Sequence, residues 1–519
     1  MSNKLIKSGL IVSSMTMISR ILGLVRDVIV ANLMGAGAAA DVFFFANKIP
    51  NFLRRLFAEG AFAQAFVPVL TEYQQTGDKQ KVRDLIASVS GTLGVLVTIV
   101  TLFGVIGSPL ITILFGAGWF VDWLNDGPDA HKFELASFML KITFPYLWFI
   151  TFTALSGAIL NTLGKFAVAA FTPVFLNIAI IGAALFIAPN LEQPEIGLAI
   201  GVFIGGAIQF LFQIPFLAKQ KMLVKPRWGW RDPGVTKIRK LMIPAMFGVS
   251  VSQINLLFDT FIASFLMTGS ISWLYYSDRL LEFPLGLFGI AIATVILPAL
   301  SRTHSANSDH QFKQTMDWGV RVVLLLGAPA MMGMIVLASP MLKVLFMRGE
   351  FSADDVSMAS MSLMAYGSGL LSFMLIKVLA PGYYARQDTR TPVKFGIIAM
   401  ISNMGFNIIL AIPFGYVGLA LATAGSATLN AGLLYWGLHK QGVYQINTAT
   451  GKVIAKLFLS AGLMAGLVQY IKPDMQQWYE WGLLDSSLCL LGLIGLAVIS
   501  YFMVLLVLGL RPRHFKITD

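Results

Sequence analysis

Long apolar stretches are the feature that most constrains how this chain folds. An α-helix needs about 20 mostly apolar residues to cross the hydrocarbon core of a bilayer, and such stretches recur from one end of the chain to the other. Hydrophobic residues make up 56% of the 519 residues and charged residues only 12%, whereas soluble domains have about 25% charged residues. We therefore predict an all-α polytopic membrane protein.

Fourteen stretches are predicted to cross the membrane. Lys and Arg concentrate in alternate loops between them, which places those loops and both termini in the cytoplasm. The opposite loops contain few basic residues, namely Lys132, Lys343, Arg348 and Lys472. The predicted spans are 8–34, 38–68, 84–110, 134–160, 166–188, 194–218, 241–267, 271–300, 316–339, 357–385, 391–413, 416–438, 452–471 and 484–510.

An internal repeat divides the chain into two similar halves. AFAQAFVPVL at Ala61–Leu70 resembles AIATVILPAL at Ala291–Leu300, which aligns Pro68 with Pro298. Because six spans separate the copies, both have the same orientation, which predicts two parallel six-helix lobes around a central cavity. The predicted domains are an N-lobe (1–218), a basic cytoplasmic linker (219–240), a C-lobe (241–441) and a C-terminal helix pair with a basic tail (442–519).

Charged residues inside the first, second and eighth predicted spans conflict with exposure to lipid. An Arg or Lys at the centre of a membrane helix costs roughly 2.5–3.5 kcal/mol on insertion scales. Many of these residues are spaced by three, four or seven, as on one face of a helix, and we expect that face to line a watered interior. The polar stripes are Ser13, Thr16, Arg20, Gly23 and Asp27 in the first span, Asp41, Lys48, Arg55 and Glu59 in the second, and Ser272, Tyr275, Arg279, Glu282 and Gly286 in the eighth. The same spans also contain the charged candidates Arg26, Arg54 and Asp278.

The arginines among these candidates indicate an anionic ligand. Guanidinium groups bind phosphate or carboxylate oxygens through a two-pronged fork and keep their charge. A pyrophosphate or a carboxylate fits such a site, and a cationic drug does not. The alternative interpretation is that ion pairs, such as Asp278 or Glu282 with Arg279, only hold helices together.

A second polar set could bind a hard cation through side-chain oxygens and backbone carbonyls. It consists of Gly248, Ser252, Asn255 and Asp259 on one stripe of the seventh predicted span, Asn403 and Asn407 in the eleventh, and Thr423 in the twelfth. The alternative is ordinary polar contact between membrane helices. The sequence has no HExxH motif, no P-loop and no histidine spacing typical of a metal site, so we predict a transporter rather than an enzyme. Its net charge of +12 is spread over short loops, which does not indicate nucleic-acid binding.

Several motifs closely resemble the MurJ (MviN) family of bacterial lipid II flippases, within the multidrug/oligosaccharidyl-lipid/polysaccharide exporter superfamily. The resemblance extends from Ser13 to about Lys440. The resemblance implies fourteen helices and transport of lipid II, an undecaprenyl-pyrophosphate-linked peptidoglycan precursor, from the cytoplasmic to the periplasmic leaflet by alternating access. The matching segments are SSMTMISRILGLVRD, NKIPNFLRRLFAEGAFAQAFVP, GVSVSQ, SWLYYSDRLLEFP and VLAPGYYARQDTRTPVK.

The resemblance also implies roles for individual residues. The cavity arginines of the family fall on Arg20, Arg26, Arg54 and Arg279, its functional acid on Asp41, and the serine of its eighth helix on Ser272. Asn51, Lys48, Glu59, Asp278 and Glu282 lie in the same motifs. A sodium site of the family falls on Asp259, Asn403, Asn407 and Thr423, with Asn407 where an acid would make a stronger site.

These features together predict a flippase of the bacterial inner membrane that serves cell wall synthesis and cell shape. We expect no resident cofactor, with coupling to sodium or to the membrane potential. The expected partners are lipid II, membrane lipids and cell-wall synthesis proteins. Two alternatives remain open: a flippase for another polyprenyl-pyrophosphate-linked oligosaccharide of the O-antigen type, and an envelope scaffold that transports nothing.

Overall fold

The computed structural model describes the backbone of residues 3–515. It describes the side chains of this stretch except those at 3–10, 13, 58–60, 251–252, 290–291 and 293–294. All regular structure in the described part is helical, which confirms the predicted all-α class. By internal packing the chain forms two compact units, Met1–Ser272 and Trp273–Asp519, and each is described here by itself. The domain boundaries drawn from the repeat stay a prediction.

The first unit contains twelve α-helices in its described residues. They are α1 (Asn3–Met34), α2 (Ala38–Arg54), α3 (Phe62–Gln75), α4 (Lys79–Ile106), α5 (Ser108–Phe115), α6 (Ala117–Leu124), α7 (Ala130–Thr143), α8 (Tyr146–Thr162), α9 (Phe166–Phe171), α10 (Pro173–Gly182), α11 (Pro194–Lys219) and α12 (Pro233–Ala263). The next helix, α13 (Ser270–Pro284), begins in the last three residues of this unit.

The second unit continues α13 and adds eleven α-helices between its start and residue 515. They are α14 (Ile290–Ser305), α15 (Asp309–Val336), α16 (Ala338–Phe346), α17 (Ala353–Gly367), α18 (Leu370–Leu379), α19 (Pro381–Tyr384), α20 (Arg390–Phe414), α21 (Tyr416–Lys440), α22 (Thr448–Ile471), α23 (Met475–Glu480) and α24 (Leu483–Val507).

Ten helical segments of the described chain are long and apolar enough to cross a membrane, where consecutive helices such as α7 and α8 count as one segment. They correspond to predicted spans three to six and nine to fourteen. An eleventh span is added if α12, bent by 45° between Ser250 and Gln253, crosses as one element. The predicted first, second and eighth spans are helical as well, but each contains residues whose side chains lie outside the described set, so the count of ten does not test them. The protein is thus a multi-pass membrane protein, as predicted, but the count of fourteen spans is not confirmed.

The two copies of the sequence repeat share a local irregularity. In the first, a π-helical stretch at Arg55–Ala61 lies between α2 and α3, and in the second, one at Leu285–Gly289 lies between α13 and α14. A π-helical turn adds a residue to the α-helical repeat and often lies at a functional site. The candidate charges of both copies therefore lie within the same order of α-helix, π-helix and α-helix.

Apolar packing and side-chain caps hold the first unit together. One buried cluster joins α3, α4, α8 and the start of α12, with Phe66 and Leu160 fully buried in it. Asp78 caps α4 by accepting hydrogen bonds from the backbone N–H groups of Gln80 and Lys81. Asp232 caps α12 in the same way. These caps satisfy N–H groups that a helix start leaves without intrahelical partners.

Candidate functional site

Asp41 is the centre of a buried hydrogen-bond network in the first turn of α2. Its carboxylate accepts hydrogen bonds from the backbone N–H groups of Gly269 (2.7 Å) and Ser272 (3.0 Å) and from the Ser272 hydroxyl (2.6 Å). Asp41 is 2% exposed and Ser272 is fully buried. The negative charge therefore lies at the N-terminal end of α13, where the helix dipole and the free N–H groups stabilise it.

Lys132 supplies the positive charge next to Asp41. Its Nζ lies 3.7 Å from Oδ2 of Asp41 and 3.2 Å from Oδ1 of Asp129, and it donates a 2.8 Å hydrogen bond to Oγ1 of Thr268. The Trp119 ring centroid lies 5.6 Å from the same nitrogen. Lys132 is only 1% exposed. A buried charge of this kind is tolerated because it is both paired and hydrogen-bonded.

The position of Lys132 in the sequence predicted an outer loop, and this prediction was wrong. The structure places it in the first turn of α7, which starts at Ala130. The one available signal was its position immediately before the apolar run that starts at Phe133. Charge patterns alone do not distinguish such a residue from a solvated one, because both flank the end of a span.

The connection between α12 and α13 is shaped to meet Asp41. Gly269 has φ +98°, a left-handed conformation that glycine adopts without a Cβ clash. Ser264 lies at the start of the same connection, and its Oγ accepts a 3.0 Å hydrogen bond from the backbone N–H of Gly118. The connection is therefore attached at both ends to other elements of the first unit.

Arg26 is held inside the first unit by short polar contacts. Its Nη2 lies 2.8 Å from Oδ1 of Asp27, and its Nη1 donates a 2.9 Å hydrogen bond to Oδ1 of Asn177 on α10. Asn177 in turn donates to the carbonyl of Ser19 on α1. The Arg26 side chain keeps 16% exposure, and that of Asp27 keeps 2%. Arg26 thus joins α1 to α10 and still reaches the surface of the unit.

The other candidates on α1 and α2 form a more open group. Arg20 is exposed and makes no side-chain hydrogen bond to any described residue. Arg54 is half-buried and donates a 3.1 Å hydrogen bond from Nε to Oδ1 of Asn51, one turn earlier. Lys48 is half-buried on the same helix. The Glu59 side chain lies outside the described residues.

In the second unit, the candidates on α13 interact along one helix. Arg279 Nη1 lies 2.8 Å from Oε2 of Glu282, and the two side chains are 29% and 48% exposed. Asp278 is half-buried. The predicted ion pair with Glu282 is therefore present, but it is solvent-accessible, and such pairs contribute little to stability.

The cation-site candidates are divided between the units. Asn403 and Asn407 lie on α20 and Thr423 on the neighbouring α21, whereas Asp259 lies on α12 of the first unit. Asn403 is 1% exposed, and neither its Oδ1 nor its Nδ2 has a hydrogen-bond partner among the described residues. Thr423 donates to the carbonyl of Leu419. An amide oxygen buried without a partner fits a hard cation, because it is an available ligand.

Comparison with known proteins gives the family. The model of the family described as lipid II flippase MurJ matches residues 30–488. The chain is 70% identical over 515 residues to the probable lipid II flippase MurJ of Vibrio cholerae, covering 99% of this chain and 98% of the relative. It is 65% identical over 506 residues to that of Haemophilus influenzae, covering 96% and 99% respectively.

Solved structures agree with this assignment. A structure of lipid II flippase MurJ in an inward closed conformation matches with a TM-score of 0.80 at 29% identity, covering 95% of this chain and 98% of that one. An inward-facing multidrug resistance MATE family transporter of the MOP superfamily matches with a TM-score of 0.68 at 13% identity, covering 84% and 98%, which shows a shared fold alone. The chain belongs to the MurJ family of lipid II flippases.

Proposed function

We propose that this protein moves lipid II from the cytoplasmic to the periplasmic leaflet of the bacterial inner membrane by alternating access, for cell wall synthesis. The observation that carries the proposal is the 65–70% identity, over nearly the whole chain, to proteins named probable lipid II flippases. Membership of this family makes the protein a transporter and not an enzyme. The basic loops support an orientation with both termini in the cytoplasm.

The pyrophosphate of the substrate is bound by the arginines of the charged helices. Arg20 is exposed, and Arg26 reaches the surface of the first unit while Asp27 and Asn177 hold it in position. Arg54 and Arg279 are each oriented by a neighbour one turn away, Asn51 and Glu282. Guanidinium groups held in this way bind phosphate oxygens in fixed geometry.

The Asp41 network acts as a latch during transport. In the state described here, Asp41 holds the start of α13 through Gly269 and Ser272, and Lys132 balances its charge. A change of state that moves α13 relative to α2 must break these bonds. Because the partners are hydrogen-bonding groups and not hydrocarbon, water entering from the outer surface can replace them one at a time.

Substitution of the arginines tests the proposed substrate site. We expect Arg20→Ala to lower the flipping rate of purified protein in vesicles by about tenfold or more, since it removes a charge-assisted contact to the pyrophosphate. Arg20→Lys retains the charge but not the two-pronged donor geometry. Its flipping rate should therefore lie between those of the unaltered protein and Arg20→Ala. Lys313→Ala, at an exposed basic position of α15, is the matched control.

Flipping is measured with fluorescent lipid II by the fraction that a membrane-impermeant reagent reaches. Normal exposure of lipid II in the Arg20→Ala variant would contradict the proposed site. Transport of an O-antigen-type lipid at equal or greater rate by the unaltered protein would contradict the proposed substrate. Absence of any lipid movement in vesicles would support a scaffold instead.

We further propose that sodium binding, or the membrane potential, drives the cycle. Asn403, buried without described partners, supports a cation ligand in the second unit, with Asn407 and Thr423 on the same helix pair. Sodium should raise the unfolding temperature of the purified protein more than potassium does, and Asn403→Ala should remove that difference. An equal effect of both salts would leave the membrane potential as the driving force. The flipping rate in vesicles with an imposed membrane potential would test that alternative directly.

A further inference from the structure

The linker strap, defined as residues 221–232 between α11 and α12, is attached along the side of α4. The backbone N–H of Arg227 donates a 3.0 Å hydrogen bond to the carbonyl of Ala87, and its Nε donates one of 3.0 Å to Oγ of Ser88. The backbone N–H of Gly229 donates to Oγ1 of Thr92 at 3.0 Å. An irregular segment is thus held by three residues of one helix.

Two glycines permit this close approach. A Cβ placed on Gly229 would lie 2.5 Å from Cβ of Ser88, and one placed on Gly91 would overlap the backbone of Arg227. Larger residues at either position would push the strap away from α4. The strap is therefore a fixed feature of the first unit.

The outer face of the strap presents aromatic rings and guanidinium groups. Trp228 and Trp230 are 57% and 38% exposed, and their rings stack 6.0 Å apart with 9° between their planes. The Arg239 guanidinium lies 3.9 Å from the Trp230 ring centroid. Ser88 and the strap residues 227–232 line a cavity of about 560 Å³ beside these rings.

The cavity is electropositive. In the described part of the chain, none of Arg227, Arg231 and Arg239 has a carboxylate within ion-pair distance. The one acid in the lining, Asp232, is engaged in capping α12. Stacking on an aromatic face leaves the edge of a guanidinium available to bind phosphate oxygens.

The exposed surface of α4 places the strap at the membrane boundary. The helix begins with the exposed polar residues Lys79 and Lys81, and its exposed surface becomes apolar from Val95 and Leu96 onward. The strap contacts α4 at Ala87–Thr92, between these two zones. Exposed Trp side chains are typical of this interfacial depth.

We propose that the linker strap is a binding site for anionic phospholipid headgroups of the adjacent leaflet, which is the cytoplasmic leaflet in the orientation proposed above. Arg227, Arg231 and Arg239 bind the headgroup phosphate, and Trp228 and Trp230 lie between the headgroups and the tops of the acyl chains. The site anchors the connection between α11 and α12 to the bilayer surface. It is separate from the arginines assigned to the transported substrate, so either proposal can fail without the other.

Quenching of tryptophan emission tests the site in the full-length protein. The protein is placed in phosphatidylcholine vesicles with increasing fractions of phosphatidylglycerol brominated near the top of its acyl chains. The difference in emission between the unaltered protein and W228F/W230F isolates the two strap residues. We expect brominated phosphatidylglycerol to quench this component at a lower mole fraction than brominated phosphatidylcholine does.

Removing the arginines should abolish this preference. We expect R227Q/R231Q/R239Q to require the same mole fraction of brominated phosphatidylglycerol as of brominated phosphatidylcholine for half-quenching. The control K79Q/K81Q/K313Q removes the same charge from exposed positions that do not line the cavity and should leave the lipid preference unchanged. If the triple variant does not fold, R231Q alone serves, since Arg231 makes no side-chain bond to a described residue.

Three results would overturn the proposal. One is equal quenching by the two brominated lipids. Another is an equal shift in the control variant, which would indicate general surface charge. The third is loss of quenching on adding inorganic phosphate at constant ionic strength, which would indicate a site for the free ion and not for a lipid.

Discussion

Asp41 and Lys132 show at the scale of single residues how charge is stabilised inside this protein. Moving either charge out of water costs several kcal/mol. For Asp41, that cost is offset by two backbone N–H groups, the Ser272 hydroxyl and the Lys132 ammonium. For Lys132, it is also offset by the Asp129 carboxylate and the Thr268 hydroxyl. Removal of Lys132 leaves the Asp41 carboxylate buried with an unbalanced charge, whereas removal of Asp41 leaves Lys132 paired with Asp129.

A double-mutant cycle measures this coupling. Lys132→Met should lower the free energy of unfolding by about 3 kcal/mol, because it leaves the buried Asp41 carboxylate without its ammonium partner. Asp41→Asn should lower it less, because Lys132 keeps Asp129 at 3.2 Å. The double variant should lose less than the sum, by about 1–3 kcal/mol. Unfolding of the purified protein in detergent gives these values. Strict additivity would mean that the 3.7 Å contact contributes nothing.

Gly269→Ala tests the conformation that presents the N–H group to Asp41. At φ +98° an alanine is strained, and we expect a loss of about 1–2 kcal/mol in the free energy of unfolding. Gly482→Ala is the matched control, since Gly482 has φ −66° and open space around its Cβ position. If the two variants unfold alike, the left-handed turn at Gly269 is not required.

The start of α20 shows a helix end stabilised by its own sequence. The Asp388 carboxylate accepts hydrogen bonds from the hydroxyl of Thr391 (2.6 Å) and from its backbone N–H (3.1 Å). The hydroxyl bond is the main reason that the pKa of Asp388 lies below its usual value, and burial opposes the shift. A lowered pKa means that folding favours the ionised form, so this stabilisation exists above the unfolded pKa of about 3.9 and is lost as the pH falls through the folded pKa.

Thr391→Val should therefore have a pH-dependent effect. At pH 7 we expect the variant to unfold at a lower temperature than the unaltered protein. We expect this difference in unfolding temperature to narrow as the pH falls below about 3.9, the unfolded pKa, and through the lower folded pKa of Asp388. Thr389→Val is the control, because Thr389 makes no side-chain cap bond. A gap that stays constant from pH 7 to pH 3 would refute this account of the helix start.

At the scale of the whole molecule, the distribution of Lys and Arg among the loops predicts the orientation in the membrane. The positive-inside rule acts on short loops next to the spans, and most loops of this chain are short. The single cysteine, Cys489, makes the orientation straightforward to test, since one substitution removes all native thiols.

Thiol labelling in intact cells measures this orientation. In a Cys489→Ala background, Glu192→Cys should react with a membrane-impermeant maleimide, because its loop faces the periplasm in the proposed orientation. Lys313→Cys should react only after the inner membrane is permeabilised. Both residues are exposed, so accessibility within the fold does not limit labelling. The reverse pattern would invert the proposed topology.

The all-helical class and the multi-pass membrane nature of this protein were accessible from the sequence. Hydrophobic length and three- or four-residue spacing are local properties, and a helix satisfies its own backbone wherever it lies. For the same reason the first, second and eighth predicted spans are helical in the structure despite the charges that they carry.

The partners of those charges were decided only by the tertiary structure. Asp41 meets Gly269 and Ser272 from more than 220 residues away in the chain, and Lys132, assigned to a loop from its position, lies buried beside it. A hydrogen bond depends on distance and direction within a few tenths of an ångström, and neither is encoded in local spacing. Packing of α2, α7 and the connection before α13 brings these groups together, and that packing depends on the whole unit.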